Sequence, residues 1–215
     1  MARPDFVFDK FRNGQYDIND FRNERATIAR PKAFDRDKAL IQALQLFWRQ
    51  GYHATSVEDL VDALHLSRSS LYDTFGDKRR LFLEALTLYS QRVISRTART
   101  LGEAPTPAAG VQALFDEFAA GVGVDSGARG CFMVNSVAEL APYDTEVTRL
   151  AAAYNAAMQR LLSDALAGPA ASRQTAEALA VYVFNAMQGV RVLIKAGATR
   201  EQVQAIAALT LASLP

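Results

Sequence analysis

The stretch that decides the fold is Thr55–Phe82, TSVEDLVDALHLSRSSLYDTFGDKRRLF. From Val57 onward its apolar residues recur after three, four and seven positions, which predicts a helix with one apolar face. Thr55 and Glu58 have the spacing of a capping box, in which each side chain bonds the backbone N–H of the other residue. Thr55 is therefore predicted to cap this helix, which ends where His65 breaks the pattern.

A second short helix follows, and its two faces differ in character. Ser67 is placed to cap it, and only Leu71 and Phe75, four residues apart, face inward. The opposite face carries side chains that form hydrogen bonds: Arg68, Ser69, Tyr72 and Thr74. A short helix with a polar outer face, braced by an apolar helix before it, is suited to contact base edges in the major groove of DNA.

The rest of the chain indicates an all-α protein. Alanine and leucine are abundant while glycine and proline are few, and no stretch shows the two-residue alternation of a strand. Glycines and prolines separate the remaining helices, which are predicted at about 35–50, 78–100, 108–123, 131–140, 144–167, 171–196 and 199–213. We therefore expect a three-helix unit at 35–83 and a larger helical domain at 84–215.

Composition excludes several classes of protein. Half of the 215 residues are hydrophobic, so global disorder is not expected. A single cysteine, Cys131, rules out an internal disulfide framework. The N-terminal residues mix charges with aromatics, unlike a secretory leader, and no apolar run approaches the roughly 20 residues of a membrane span. We therefore expect a soluble cytoplasmic protein without membrane contact.

Charge is distributed unevenly, although the formal net charge is only +1. Basic residues exceed acidic ones in residues 1–100, and the reverse holds in residues 101–215. The positive excess lies with the helix-turn-helix pattern, as expected if that part faces DNA. Residues 1–34 lack a sustained apolar period. They are either a poorly ordered extension or a basic arm that reaches a DNA groove through Arg30, Lys32 and Arg36.

Three blocks resemble one known family: Phe47–Tyr52 (FWRQGY), Thr55–Leu60 (TSVEDL) and Ser67–Lys78 (SRSSLYDTFGDK). From Ala33 to Leu86 the chain resembles the DNA-binding domain of TetR-family transcriptional regulators. The resemblance implies an all-helical homodimer, usually a repressor, that releases a palindromic operator when a small molecule binds its C-terminal domain. Residues 130–142 (GCFMVNSVAELAP) look like one subgroup of the family's ligand domains.

The resemblance, together with the polar face, gives seven candidates for DNA contacts. They are Thr55, Ser67, Arg68, Ser69, Tyr72, Thr74 and Lys78. Ser67–Ser69 would face base edges, Tyr72 and Lys78 match residues that contact phosphates, and Thr55 lies where helix N-terminal amides meet the DNA backbone. The family often has glycine where this chain has His65. That position is expected to need a positive φ, which histidine tolerates better than most residues.

A ligand pocket leaves weaker signals. Polar residues that interrupt apolar faces are candidate anchors, and nearby aromatics and methionines are candidate walls. The set comprises Phe115, Phe118, Cys131, Met133, Asn135, Glu139, Tyr154, Met158, Asn185 and Gln188, and Arg191 is a further polar interruption. Pockets are mostly apolar with a few polar anchors, but the same pattern also fits an ordinary core. An effector of unidentified structure is the expected small-molecule partner.

Cys131 has two interpretations. It is either a small buried hydrophobe or a sensor thiol whose pKa a helix N-terminus and nearby Arg129 would lower. A redox switch through Cys131 is thus the alternative to regulation by a small ligand. No metal or cofactor is expected, because His53 and His65 lie apart from any cluster of ligands. No enzymatic activity is expected either, since no nucleophile has a base at catalytic spacing.

The helix predicted at 171–196 is apolar on most of its circumference. Such a helix needs cover on all sides, and a second subunit is the simplest cover. The last helix would complete a four-helix interface through Val203, Ile206 and Leu209. The sequence therefore predicts a homodimer held together by the C-terminal domain.

Overall fold

The computed structural model describes residues 34–124, 129–167 and 172–214, which contain nine α-helices and no strand. Contacts divide the chain at Asp35, and all nine helices belong to the unit 36–215. The helices are α1 Arg36–Gln50, α2 Val57–Leu64, α3 Arg68–Phe75, α4 Lys78–Glu103, α5 Pro107–Gly121, α6 Phe132–Leu140, α7 Thr145–Leu166, α8 Arg173–Lys195 and α9 Arg200–Ala212. The predicted all-α fold is confirmed.

Residues 1–33, including Arg30 and Lys32 of the predicted arm, lie outside the described residues. Arg36 begins α1, and its guanidinium donates to the Glu84 carboxylate at 2.6 Å. The same guanidinium lies 4.9 Å from the centroid of the Phe75 ring. Arg36 therefore braces the helix-turn-helix unit against α4. The division into domains at residue 83 stays a prediction, because residues 36–215 form one compact unit.

The helix that begins at Val57 is capped one residue later than predicted. Ser56, not Thr55, accepts from the Asp59 amide, and the Asp59 carboxylate accepts from the Ser56 amide at 2.7 Å, which completes the capping box. Thr55 is fully buried, and its hydroxyl donates to the Gly51 carbonyl at 2.6 Å. The Thr55 cap was therefore wrong, because this side chain fastens the end of α1 instead.

The turn between α2 and α3 has the geometry expected of it. His65 is in the left-handed region with φ 53°, the single non-glycine residue with positive φ in the described ranges. Its N–H and that of Leu66 bond the last carbonyls of α2, so the backbone groups at this turn are satisfied. Ser67 then caps α3 and Asp77 caps α4 by accepting from the Arg80 amide, as predicted.

Burial of aromatic and leucine side chains holds the first four helices together. Leu71 and Phe75, the inward residues of α3, are both buried, as their spacing predicted. Phe47 of α1 meets Phe82 of α4 edge to face, with ring centroids 5.2 Å apart. Aromatic contact continues from Phe82 to Phe132 of α6 at 5.6 Å. The helix-turn-helix unit thus rests on a core that reaches the later helices.

The later helices form a bundle around α4. The long helix α4 packs on α1 and α3 near its start and on α5, α6 and α7 along its length. It ends at Glu103, about one turn beyond the predicted end, so the exposed Gly102 lies within its last turn and Pro105 follows soon after it. The helices α7 and α8 lie along each other, and α9 packs on α5 and α8.

One residue of the predicted dimer interface is buried within its own subunit. Val192 on α8 is 50% exposed and Leu209 on α9 is 70% exposed, as an unpaired interface would be. Val203, however, is 1% exposed within its own chain, so its predicted contact with a second subunit was wrong. The face of α9 that carries Val203 packs on the same subunit.

By length and composition α8 is also apolar enough to cross a membrane, a property that core helices of water-soluble proteins share. Its charged residues include Glu177 near the start and Arg191 near the end. One face of α8, with Val183 and Met187, is buried in the bundle. We therefore interpret α8 as a core helix whose outer face is uncovered in the single chain.

Candidate DNA interface and effector region

The polar face of α3 is built by its own cap. The Ser67 hydroxyl accepts from the Ser70 amide at 3.1 Å and lies 2.9 Å from the Ser69 hydroxyl and 2.8 Å from the Ser70 hydroxyl. Ser67 and Ser69 are both exposed, and Thr74 is half-buried at the other end of the helix. Because Leu71 and Phe75 fix the inner face, these hydroxyls are held on the outside.

Two larger side chains stand on the same face. Tyr72 is 40% exposed, which leaves its ring available to a partner. The Arg68 guanidinium lies 3.0 Å from the Glu58 carboxylate of α2, and both side chains are more than half exposed. An exposed ion pair is worth only about 0–1 kcal/mol. Arg68 can therefore leave Glu58 for a stronger partner at little cost.

Lys78 is the first residue of α4, as predicted. Its ammonium lies 4.3 Å from the centroid of the Tyr52 ring, and the side chain is half-buried. Burial lowers the pKa of Lys78, while the carboxylates of Glu139 and Asp59 act to raise it. Its contact with Tyr52 fixes the direction of the side chain at the start of α4.

Thr55 differs from the other candidates for DNA contact. Its side chain is buried, as described above, so its hydroxyl does not reach the surface. The exposed hydroxyl at this end of α2 belongs to Ser56, which sequence reasoning passed over. The structure brings the other six candidates to the α3 face and the start of α4.

Glu139 joins the helix-turn-helix unit to the C-terminal helices. Its carboxylate accepts from the backbone N–H of Tyr52 at 3.0 Å and from that of His53 at 2.7 Å. It lies at the end of α6 and beside Gly51, whose φ of 86° closes α1. The prediction had Glu139 as a ligand anchor, but its carboxylate is occupied by the loop between α1 and α2.

A second connection lies close by. The Arg79 guanidinium on α4 donates to both oxygens of Asp144, at 2.8 and 2.9 Å. Asp144 also caps α7 by accepting from the Glu146 and Val147 amides. The hydrogen bonds from Arg79, and then those from the two amides, hold the pKa of Asp144 below its ordinary value. Glu139 and Asp144 thus fasten the turn between α6 and α7 to the loop after α1 and to the start of α4.

The cleft next to Glu139 has a volume of about 360 Å³. Its lining combines the end of α1 with one face of α6, and it includes Trp48, Phe132, Asn135 and Lys195. Asn135 donates to the Arg129 carbonyl at 2.9 Å and accepts from the Lys195 ammonium at 3.1 Å. Of the predicted pocket residues, Asn135 and Glu139 meet here.

Most of the other predicted pocket residues form a different group, inside the bundle. Phe115, Met133, Tyr154 and Met158 are almost completely buried, while Phe118 and Gln188 are half-buried. Asn185 is exposed on α8. The buried residues fill the interior in this state, which agrees with the ordinary-core alternative as well as with a pocket wall.

Cys131 lies at the centre of a polar cluster within this group. Its sulfur accepts from the Tyr89 hydroxyl at 3.4 Å, and the Arg191 Nη1 is 3.8 Å away. Arg191 Nη1 also donates to the Tyr154 hydroxyl at 3.3 Å and to Gln188 Oε1 at 3.4 Å. Cys131 is buried and stands at the N-cap position of α6, where its sulfur accepts no bond from the helix amides.

Sequence reasoning missed several of these residues. Tyr89 and Arg79 were not among the predicted site residues. The partners of Glu139 are backbone N–H groups 86 and 87 positions away, and they leave no pattern in the sequence. The run of Lys78, Arg79 and Arg80 was the available signal for Arg79.

The fold and the α3 face together define a helix-turn-helix DNA-binding protein. Residues 40–85 match the tetR family of bacterial regulatory proteins. Residues 107–212 match the C-terminal domain of LmrA/YxaF-like transcriptional regulators. The chain is 31% identical to the HTH-type transcriptional repressor ComR of Escherichia coli over 86% of this chain and 91% of that protein. It is 26% identical to the HTH-type transcriptional repressor BdcR of the same organism, over 84% of this chain and 89% of that protein.

A solved structure of a TetR-family regulator is also similar to this chain. A cysteine mutant of the TetR-family regulator CifR, complexed with 26-bp double-strand operator DNA, superimposes with a TM-score of 0.75 at 30% identity. The comparison covers 86% of this chain and 100% of that one. The chain therefore belongs to the TetR family of transcriptional regulators, and the predicted family is confirmed.

Proposed function

We propose that the protein is a ligand-responsive transcriptional repressor that binds a palindromic operator as a homodimer. The observation that carries the proposal is the α3 face, where exposed polar side chains stand opposite the buried Leu71 and Phe75. A recognition helix of this kind places its first residues against base edges in the major groove. The names of the relatives ComR and BdcR support repression as the sign of regulation.

The residues divide into two kinds of contact. Ser67, Arg68 and Ser69, at the start of α3, are proposed to contact base edges, where arginine pairs best with guanine. Tyr72 and Lys78 are proposed to contact phosphates, which position the protein without specifying sequence.

Thr74 is proposed as a further contact at the end of α3. At the start of α2, the backbone N–H groups that follow Thr55 are proposed to face a phosphate, together with the exposed Ser56 hydroxyl. This assignment replaces the Thr55 hydroxyl, since that group is buried.

A homodimer is proposed from the uncovered face of α8. Val181, Tyr182, Val192 and Leu193 are all exposed there in the single chain. Large apolar residues that share one helix mark an interaction surface when they lie together. Two recognition helices in such a dimer would enter successive major grooves, about 34–36 Å apart.

The response to a ligand is proposed to pass through the turn between α6 and α7. Glu139 and Asp144 tie this turn to the loop after α1 and to the start of α4. A ligand that favours a different position of α6 would therefore move the helix-turn-helix unit. Only a ligand with unequal affinity for the two arrangements can shift the population away from the DNA-binding one.

The alternative, a thiol switch through Cys131, is less favoured. The thiol is buried and accepts from the Tyr89 hydroxyl, and a shielded thiol reacts slowly with oxidants. If operator binding were lost on mild oxidation and retained in Cys131→Ser, the alternative would replace the ligand-responsive proposal.

The test is selection of bound fragments from genomic DNA, followed by footprinting of the selected sites. We expect two half-sites related by a two-fold axis, with protection about one helical turn apart. A reporter under the selected promoter should be less active when the protein is present. Failure to enrich any sequence over random DNA would overturn the proposal.

A further inference from the structure

Arg191 is a charged side chain placed among neutral groups in the C-terminal bundle. It lies on α8 and is half-buried, and its guanidinium carbon is 4.6 Å from the centroid of the Phe118 ring. Its hydrogen-bond acceptors are the Tyr154 hydroxyl, Gln188 Oε1 and, at a longer distance, the Cys131 sulfur. None of these is an aspartate or glutamate.

The surroundings do not neutralise this charge. Burial raises the pKa of Tyr89 and of Tyr154, so both phenols stay neutral at neutral pH. No carboxylate forms an ion pair with Arg191 in the ranges that the structure describes. Arg191 is half-buried, and in the described residues its charge is met by hydrogen bonds and the Phe118 ring rather than by a carboxylate. The position of a carboxylate partner is therefore open to a ligand.

Only part of the Arg191 guanidinium forms hydrogen bonds in the described residues. All three hydrogen bonds start from Nη1, and Nε and Nη2 donate to no acceptor in the described part of the chain. These two N–H groups lie parallel on one edge of the guanidinium, which matches the two oxygens of a carboxylate. The half-buried Phe118 ring lies against the guanidinium, with its centroid 4.6 Å from the guanidinium carbon, and offers an apolar surface to the rest of such a molecule.

We propose that Arg191 is the anchor of the effector site, and that the effector is a small molecule with a carboxylate group and an apolar body that packs against Phe118. This inference rests on the proposed ligand response and names the class of ligand. The carboxylate would pair with Nε and Nη2, while Gln188 and Tyr154 hold the guanidinium in place. Arg191 lies 3.8 Å or less from Cys131, the N-cap of α6, and from Tyr154 on α7, so occupation of the site bears on α6.

The first test uses the purified full-length protein and matched pairs of probes: benzoate with benzamide, phenylacetate with phenylacetamide, and octanoate with octanamide. We expect at least one carboxylate to raise Tm by about 5–10 °C at a concentration a hundredfold above its Kd, whereas its amide has no effect. If no carboxylate raises Tm more than its amide, the inference is wrong.

The variants separate binding from folding. Arg191→Gln should weaken the binding of that carboxylate about 10- to 100-fold. The control Arg160→Gln removes the same charge from an exposed position on α7 and should leave binding unchanged. Arg191→Met, without probe, should stay folded, so that its loss of carboxylate binding is not a loss of the fold. If the same carboxylate raises the Tm of Arg191→Met as much as that of the parent, the inference is overturned.

A carboxylate side chain from a second subunit would be the same chemistry from another source. In that case the parent protein would ignore the probes, and Arg191→Met would sediment as a monomer, which would overturn the small-molecule inference. Gel shifts with the selected operator report separately on DNA binding. Failure of DNA binding with a normal Tm response to carboxylate would contradict the proposed function but not the site.

Discussion

Glu139→Gln tests whether the connection between the two parts of the protein stabilises the fold. The Glu139 carboxylate accepts two backbone N–H groups at 3.0 and 2.7 Å. A hydrogen bond to a charged group contributes about 1.5–3 kcal/mol, and glutamine retains one acceptor oxygen while it turns an NH₂ group toward the other N–H. We therefore expect the free energy of unfolding to fall by about 1.5–3 kcal/mol, and by more in Glu139→Ala.

The assay is urea unfolding followed by the fluorescence of the single tryptophan, Trp48, which lines the same cleft as Glu139. For a chain of this size the expected change corresponds to a fall in Tm of about 3–12 °C. The matched control is Glu177→Gln, which breaks an exposed ion pair with Arg173 on α8 and should change stability by less than about 0.5 kcal/mol. If the two variants are equally stable, Glu139 does not hold the loop.

Three further predictions concern DNA contact, assembly and pH. Lys78→Ala should weaken operator and random DNA alike and lower the slope of log K against log salt by about 0.9, as expected for one lost phosphate contact; an unchanged slope would contradict this. Val192→Glu should give a folded monomer in sedimentation at micromolar concentration, whereas Val203→Glu should unfold the subunit itself, because Val203 is buried in its own chain. If Val192→Glu stays dimeric, the interface lies elsewhere. The pKa of Asp144 is lowered in the folded state, so its contribution to stability is present above its unfolded pKa of about 3.9 and is lost as pH falls through the folded value. Asp144→Asn should therefore flatten the dependence of unfolding free energy on pH in that range. An unchanged dependence would count against the pairing with Arg79.

The sequence predicted the helix-turn-helix unit closely because its signals are local. Periodicity identified the inward residues of α3, and hydroxyl and carboxylate side chains marked the caps at Ser67 and Asp77. The error at Thr55 has a specific cause. Thr55 with Glu58, and Ser56 with Asp59, both have capping-box spacing, so the local pattern alone does not choose between them. The choice depends on burial of Thr55 against the end of α1, which is a tertiary contact.

The C-terminal helices were predicted in position but less well in their contacts. The apolar face of α9 was visible in the sequence, but periodicity does not tell whether the same subunit or a second one covers it. Val203 packs within its own chain, while Leu209 remains exposed. Glu139 and Arg191 both interrupt apolar faces, yet one bonds distant backbone N–H groups and the other lies among phenols and a thiol. Such partners are set by packing across the bundle.

The central claim is that α3 reads the operator sequence, and the most direct measurement is base preference for the parent protein and for Arg68→Ala. Selection from a randomised operator library should show that Arg68→Ala loses about 1–3 kcal/mol on the preferred site and relaxes the preference at one base pair in each half-site. The control Glu58→Gln removes only the exposed partner of Arg68 and should keep the preference intact. If Arg68→Ala instead weakens all sequences equally, or leaves the preference unchanged, Arg68 does not contact a base and the proposed orientation of α3 is contradicted.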